Sequence, residues 1–231
     1  VGLAAHSAQG DVDIAFQGNG AVSVLGRAAG GSSITAEAWK SAAATGIAAT
    51  NDDSTVFFMV GDSANLTIVG SAVDRGRIEA QAVKLTSNDG FSAAAVGIAV
   101  FNIHSHTASY IKLLDAARVT IMGNAEDGSS ITATAKHSSA GAVGIGFTAN
   151  SGSSGFTVHG GDVLIFGRAT NNSAITSAVT AGVSVGGGSS AAIGIAAELN
   201  SRIKMNRPGT VGTTRLIGIV SDDSNLTATT D

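Results

Sequence analysis

Apolar residues recur at alternate positions in short runs, and each run is closed by a glycine or a polar cluster. Five blocks share the form of alternating apolar residues up to a Gly, a polar turn, and then an Ile-x-Ala step: VSVLGRAAGGSSITAEA, LTIVGSAVDRGRIEAQA, VTIMGNAEDGSSITATA, VLIFGRATNNSAITSAV and RLIGIVSDDSNLTATTD. Their glycines are Gly26, Gly70, Gly123, Gly167 and Gly218, and the next apolar residue (Ile34, Ile78, Ile131, Ile175 or Leu226) always follows eight positions later. Period-2 alternation buries every second side chain of a strand, so each block predicts two strands joined by a turn of fixed length.

A second block lies between these. VGLAAHS, TGIAATN, VGIAVFN, VGIGFTA and IGIAAEL carry Gly2, Gly46, Gly97, Gly144 and Gly194, each followed by a further alternating segment: DVDIAF, TVFFMV, YIKLLDA, GFTVHG and RIKMN. The chain thus predicts about five repeats of 44 to 53 residues, each made of four short strands separated by Gly, Ser, Asn and Asp. The Ala runs at Ala42 to Ala44 and Ala93 to Ala95 are too short to nucleate a helix and flow directly into Gly-Ile. Spacing between copies varies through three insertions, KLTSNDGFS, FNIHSHTASY and AGVSVGGGSS, which a repeat array carries as surface loops. No linker or shift of composition interrupts the chain, so residues 1–231 read as one domain that begins and ends in mid-repeat, as expected of a piece of a longer array.

Two all-β architectures accommodate four strands per repeat: a parallel β-helix, or β-solenoid, and a five-bladed β-propeller closed by both termini. Composition decides between them. With 40 Ala, 31 Gly and aromatic residues at only 4%, the chain lacks the bulky side chains that pack propeller blades, whereas Ile alternating with Ala and Gly suits a slender coil. The expected core is a set of stacked columns, Ile34, Ile78, Ile131, Ile175 in one and Ile47, Ile98, Ile145, Ile195 in another. Two windings per repeat fit the spacing somewhat better than one four-sided winding.

Net charge is −4 and Lys and Arg form no runs, so a nucleic-acid binder's electrostatic footprint is missing. No apolar run is long enough to span a membrane as a helix. Zero Cys removes disulfides and thiolate chemistry.

The recurring Gly-Ile-Ala-Ala, Gly-Asp-Val and Ile-Thr-Ala steps, seen first in VGLAAHSAQGDVDIAFQGNG, resemble the repetitive passenger regions of secreted bacterial surface proteins, the autotransporter and filamentous-haemagglutinin-type adhesins. The resemblance implies an exported, elongated, right-handed β-helix used for adhesion or as a stalk, at the cell surface and with host or cell-surface glycans as partners.

Candidate chemistry is sparse. His104 and His106 share one strand face at a spacing able to hold a metal, but nothing near them in sequence supplies a third ligand, and they read as solvated loop residues. Asp52-Asp53 and Asp222-Asp223 offer calcium two carboxylates where it needs six to eight oxygens, so they read as turn residues. For polysaccharide cleavage two carboxylates must face one groove, and Glu37, Glu79, Asp74 and Glu126 fall at non-equivalent places in the repeat. The glycines of GGDVLIFGRA and the sequons at Asn65, Asn171 and Asn225 read as turn chemistry. Trp39 falls outward or at a bend. The expectation is a structural or adhesive repeat protein without catalytic, cofactor or metal residues, open at both ends and able to associate end to end; the alternative is a carbohydrate-binding or carbohydrate-cleaving β-helix. A receptor-binding role would place its specificity in the inserted loops around His104 and Lys84 to Ser92.

Overall fold

A computed structural model describes residues 1–7, 10–38, 41–51, 55–82, 92–102, 109–136, 139–149, 155–180, 189–199, 202–205 and 212–230. Among them the chain is all strand and turn. The strands come in successive fours: β1 (Gly2–Ser7), β2 (Val12–Phe16), β3 (Ala21–Ala28) and β4 (Ser33–Ala38); β5 (Ser41–Asn51), β6 (Val56–Val60), β7 (Asn65–Ala72) and β8 (Arg77–Ala82); β9 (Ser92–Asn102), β10 (Ser109–Leu114), β11 (Arg118–Glu126) and β12 (Ser130–Lys136); β13 (Ser139–Ala149), β14 (Gly155–His159), β15 (Asp162–Thr170) and β16 (Ala174–Thr180); β17 (Ser189–Leu199), β18 (Arg202–Met205), β19 (Thr214–Val220) and β20 (Asn225–Thr230).

These form four parallel five-stranded sheets. Sheet I is β1-β5-β9-β13-β17, sheet II β2-β6-β10-β14-β18, sheet III β3-β7-β11-β15-β19 and sheet IV β4-β8-β12-β16-β20. Every strand pairs with those four before and four after it, so the chain visits all four sheets before returning one strand spacing along the axis. This is consistent with a parallel β-helix. A propeller would pair consecutive strands, and none of these pairs is consecutive. The arrangement also corrects the expectation of two windings per repeat: one winding takes all four strands. Two windings per repeat would pair β3 with β5, whereas β3 pairs with β7 and sets Gly26 beside Gly70.

Both expected columns are present. Ile34, Ile78, Ile131, Ile175 and Leu226 are successive register partners in sheet IV, and Leu3, Ile47, Ile98, Ile145 and Ile195 in sheet I. Ile47, Ile78, Ile98, Ile131, Ile145 and Ile175 have almost no solvent exposure. Burying an Ile contributes about 1.5–3 kcal/mol relative to leaving it exposed, so the columns carry a large part of the core.

Sheet I departs from the expected short strands. Its internal strands run eleven residues because the Ser-Ala-Ala-Ala run continues into Gly-Ile, and the strand doubles back between them. Ser41 Oγ donates to Ala49 O at 3.2 Å and Ser92 Oγ to Val100 O at 2.9 Å. Residues eight apart in a straight strand would lie about 26 Å from each other. Pairing lapses at the bend, where Ala43–Ala94 is followed by Thr45–Val96. The small side chains of the first leg, Ser41–Ala44, let it lie within hydrogen-bonding distance of Ala49 and Thr50 on the returning leg, so the Ala run is a strand.

At the bend Gly46, Gly97, Gly144 and Gly194 take φ of +151°, +146°, +150° and +138°. A Cβ on Gly97 would come within 1.7 Å of Gly144 O, so glycine is required by both conformation and space.

The corner between sheets III and IV is a second ladder. Gly30-Gly31, Asp74-Arg75, Asp127-Gly128, Asn171-Asn172 and Asp222-Asp223 all have positive φ. Across windings Gly31 N donates to Asp74 O at 2.9 Å, Arg75 N to Asp127 O at 3.0 Å, Gly128 N to Asn171 O at 2.8 Å and Asn172 N to Asp222 O at 2.8 Å. Stacking of this left-handed turn fixes its length, which is why the interval from Gly to Ile never changes.

The three insertions overlap the strands beside them, with Ser92, Phe101 and Asn102 in β9, Ser109 and Tyr110 in β10, and Ser189 and Ser190 in β17, all in register with their neighbours. Residues 83–91 join β8 to β9, 103–108 join β9 to β10 and 181–188 join β16 to β17.

Candidate functional site

The segment TVFFMV places two Phe side by side, and alternation sends them to opposite faces. Phe58 points inward, fully buried, with its ring edge on Phe16 at 5.9 Å between centroids. Phe57 points outward and is 37% exposed. The inward ring anchors β6, so the outward side chains stand on a rigid surface.

On this outer face of sheet II two register columns lie next to each other: Asp13, Phe57, Tyr110 and Gly155, and Ala15, Met59, Lys112 and Thr157. The Phe57 and Tyr110 rings stack at 5.6 Å between centroids and 20° between planes. Lys112 Nζ lies 4.6 Å from the Tyr110 centroid, a cation–π contact. Beside the stack is an open depression of about 380 Å³, bordered by Asp13, Ala15, Gln17, Phe57, Met59 and Lys112 and backed by Ile14 and Phe58. Ala15 leaves room where the next two windings carry Met59 and Lys112. Gln17 Nε2 lies 4.0 Å from Met59 Sδ, which closes the side of the depression. The result is one aromatic wall, one carboxylate, one amide and one ammonium around a shallow apolar floor, the make-up of a small-ligand site. Sequence reasoning missed it, although the signal was present in the Phe-Phe pair and in the tyrosine at the equivalent position of the next repeat.

The residues considered for chemistry are dispersed. Glu37 and Glu79 both lie on the outer face of sheet IV, where register pairs Glu37 with Gln81 and Thr35 with Glu79, so the two are diagonal neighbours. Asp74 sits in the left-handed corner, half an exposed pair with Arg75 at 3.9 Å. Glu126 ends β11, where it accepts from Asn124 Nδ2 at 3.0 Å and pairs with Arg168 at 3.5 Å. Asp222 and Asp223 lie in that same corner at φ +56° each. Asn171 occupies it too, donating from Nδ2 to Asp127 Oδ1 at 2.9 Å, and Asn65 Nδ2 donates to Ser63 O at 3.4 Å. Gly160 and Gly161 form a turn of positive φ that leads into β15, not a helix. Asp52, Asp53, His104, His106, Trp39 and residues 84–91 lie outside the described residues, and Ser92 opens β9. Among the described residues no group of three or more His, Asp or Glu is placed to hold a metal, and no helix is long and apolar enough to cross a membrane.

Asp162 shows how polar side chains bridge windings at the corners. Its Oδ1 accepts from Thr213 Oγ1 at 2.8 Å and from Thr213 N at 2.9 Å, with Arg118 at 3.6 Å. The Thr213 hydrogen bonds, and after them Arg118 and Arg215, hold its carboxyl below the ordinary value.

Comparison with protein-family models, with curated proteins and with solved structures gives no match, so the functional reading rests on the residues of this chain.

Proposed function

We propose that the chain belongs to an exported, elongated scaffold at the cell surface, a right-handed parallel β-helix of about five repeats, that acts structurally or adhesively without catalysis and associates end to end. The observation that carries this reading is the contrast between middle and end windings. Inward-facing Leu3 is 47% exposed at one end, and Leu216 and Val220 are 52% and 45% exposed at the other. Their register partners Ile47, Ile165 and Ala169 have no solvent exposure. The first and last windings of residues 1–231 therefore present apolar positions that a further winding would cover, whether it comes from the same polypeptide or from another copy, and parallel pairing is how such a winding would add. At the first end β1 covers only the Gly46–Asn51 leg of β5, and a groove of about 480 Å³ lies beside Ala4, Ala5, His6, Ala38, Ser41 and Thr50.

Head-to-tail contacts that do not close generate filaments. Charged residues are 13% of the chain, so little repulsion opposes stacking. Sedimentation velocity and negative-stain imaging across a concentration and salt series test the reading. The expected result is rods that lengthen with concentration and depend weakly on salt. Short unassociated particles under all conditions overturn end-to-end association.

A further inference from the structure

We propose that the depression on the outer face of sheet II binds a single neutral pyranose ring. This assignment does not require end-to-end association, because the side chains that would touch the sugar face outward from sheet II, although Asp13 and Ala15 stand on β2 of the first winding.

An outward Phe stacked on an outward Tyr is unusual for a chain with 8 Phe and 1 Tyr among 231 residues, and neither ring is needed for the core. One face of Phe57 is covered by Tyr110, and the ring also borders the depression. A sugar ring offers such a wall a row of C–H groups of slight positive charge, complementary to the negative face of the aromatic system. The same sugar carries hydroxyls around its edge. The Asp13 carboxylate accepts from two of them, the Gln17 amide both donates and accepts, and the Lys112 ammonium donates.

The volume and the charges narrow the ligand. About 380 Å³ is near the lower bound for ligand sites, so it holds one ring. A phosphate or carboxylate ligand would meet Lys112 but also the Asp13 carboxylate, which repels it. A cationic ligand would meet Lys112, already seated against the Tyr110 ring. A metal ion would find one carboxylate. A neutral polyol on an aromatic wall satisfies all four side chains at once.

The test is saturation-transfer NMR with chemical-shift titration of the intact protein against the methyl glycosides of glucose, galactose and mannose, with methyl glucuronide as the anionic control. Binding of at least one neutral glycoside with Kd on the order of a millimolar is expected for a shallow one-ring site. Phe57→Ala and Asp13→Asn should each weaken it about tenfold or more, while circular dichroism confirms that both variants stay folded. If Phe57→Ala fails to fold, Asp13→Asn and Gln17→Ala decide. Absence of binding to all three neutral glycosides at about 50 mM overturns the proposal. So does tighter binding of the glucuronide that survives Asp13→Asn, or binding that neither variant weakens. None of these outcomes touches the filament reading, which is measured by sedimentation.

Discussion

Gly26 of sheet III lies against Thr45 of sheet I so closely that a Cβ on the glycine would come within 2.2 Å of Thr45 Oγ1. The relationship recurs up the axis, with Gly70 against Val96 at 2.3 Å, Gly123 against Val143 at 2.2 Å and Gly167 against Ile193 at 2.4 Å. The residue just before each sheet I glycine thus fills the space vacated by each sheet III glycine, and the interior is thin because the two columns interlock. Gly123→Ala should destabilise by about 1–3 kcal/mol through overpacking, and Val143→Ala in the same chain should restore part of the loss because the obstacle is a side chain. Gly97→Ala meets the Gly144 backbone instead, at φ +146°, and should cost more with no side-chain rescue. Denaturation of the single and double variants measures both.

Thr45 stands in a column that continues as Val96, Val143 and Ile193. It is fully buried, and its Oγ1 has no hydrogen-bond partner among the described residues. Thr45→Val keeps the shape and removes a desolvated hydroxyl. A gain of about 1–2 kcal/mol is expected, read as a rise in the denaturation midpoint.

Arg75 adopts φ +61° in the corner ladder, where its stacked equivalents are Gly31, Gly128, Asn172 and Asp223. Its pair with Asp74 is exposed and long, 3.9 Å, and adds little. Arg75→Asn retains the N–H that donates to Asp127 O and tolerates the left-handed conformation better. Stability should rise by about 0.5–1 kcal/mol. An unchanged or lower midpoint would show that the Arg side chain contributes more than its backbone strain costs.

Much of this architecture was legible. Invariant spacing from Gly26 to Ile34, and from each later Gly to its Ile or Leu, marked a turn of fixed length, and the columns of Ile followed from it. The number of windings per repeat was not legible, because periodicity says which residues are equivalent and leaves open which strands pair. Nor was the fold-back of β5, since Ala42 to Ala44 suit a helix, a strand or a tight sheet contact equally well. Its hidden clue was that the leg contains only small residues in every copy after the first: Ser41–Ala44, Ser92–Ala95, Ser139–Ala142 and Ser189–Ala192. A compensated pair makes the same point. Where the last leg replaces Ala with Ser190, the neighbouring Ala column of sheet IV changes to Ser177, and Ser190 Oγ donates to Ser177 Oγ at 2.8 Å while Ser177 Oγ donates to Ala140 O at 2.7 Å. The Phe57 site was missed because alternation identifies an outward residue without saying what stands beside it in the next winding.

Asp162 predicts a specific acid dependence. Its carboxyl in the folded chain lies below the ordinary value near 3.8, through the hydrogen bonds from Thr213. A carboxyl of lowered folded pKa stabilises fully above the unfolded value and loses that contribution as pH falls through the folded one. The midpoint difference between the natural chain and Asp162→Ala should be constant above about pH 5 and shrink towards zero as pH falls below about 3. It should stay under about 1 kcal/mol because the side chain is half-exposed and screened. Thermal melts across that range measure it.

The apolar layer of the last winding gives the last test. Leu216 and Val220 occupy inward positions yet are exposed, and continue the columns of Ile165 and Ala169. Replacing both with Lys places two positive charges where a stacked copy would have to bury them, at a cost of several kcal/mol per unpaired ion. In the separate chain the same positions face water, so each substitution should change stability by less than about 0.5 kcal/mol. Leu216→Lys with Val220→Lys should therefore abolish concentration-dependent association in sedimentation velocity while leaving the melting midpoint almost unchanged. Substituting Met122→Lys, the outer-face equivalent in the central strand β11 of sheet III, is the control and should leave association intact. If the Met122 variant blocks assembly and the double variant does not, copies meet side to side, and the end-to-end reading is wrong.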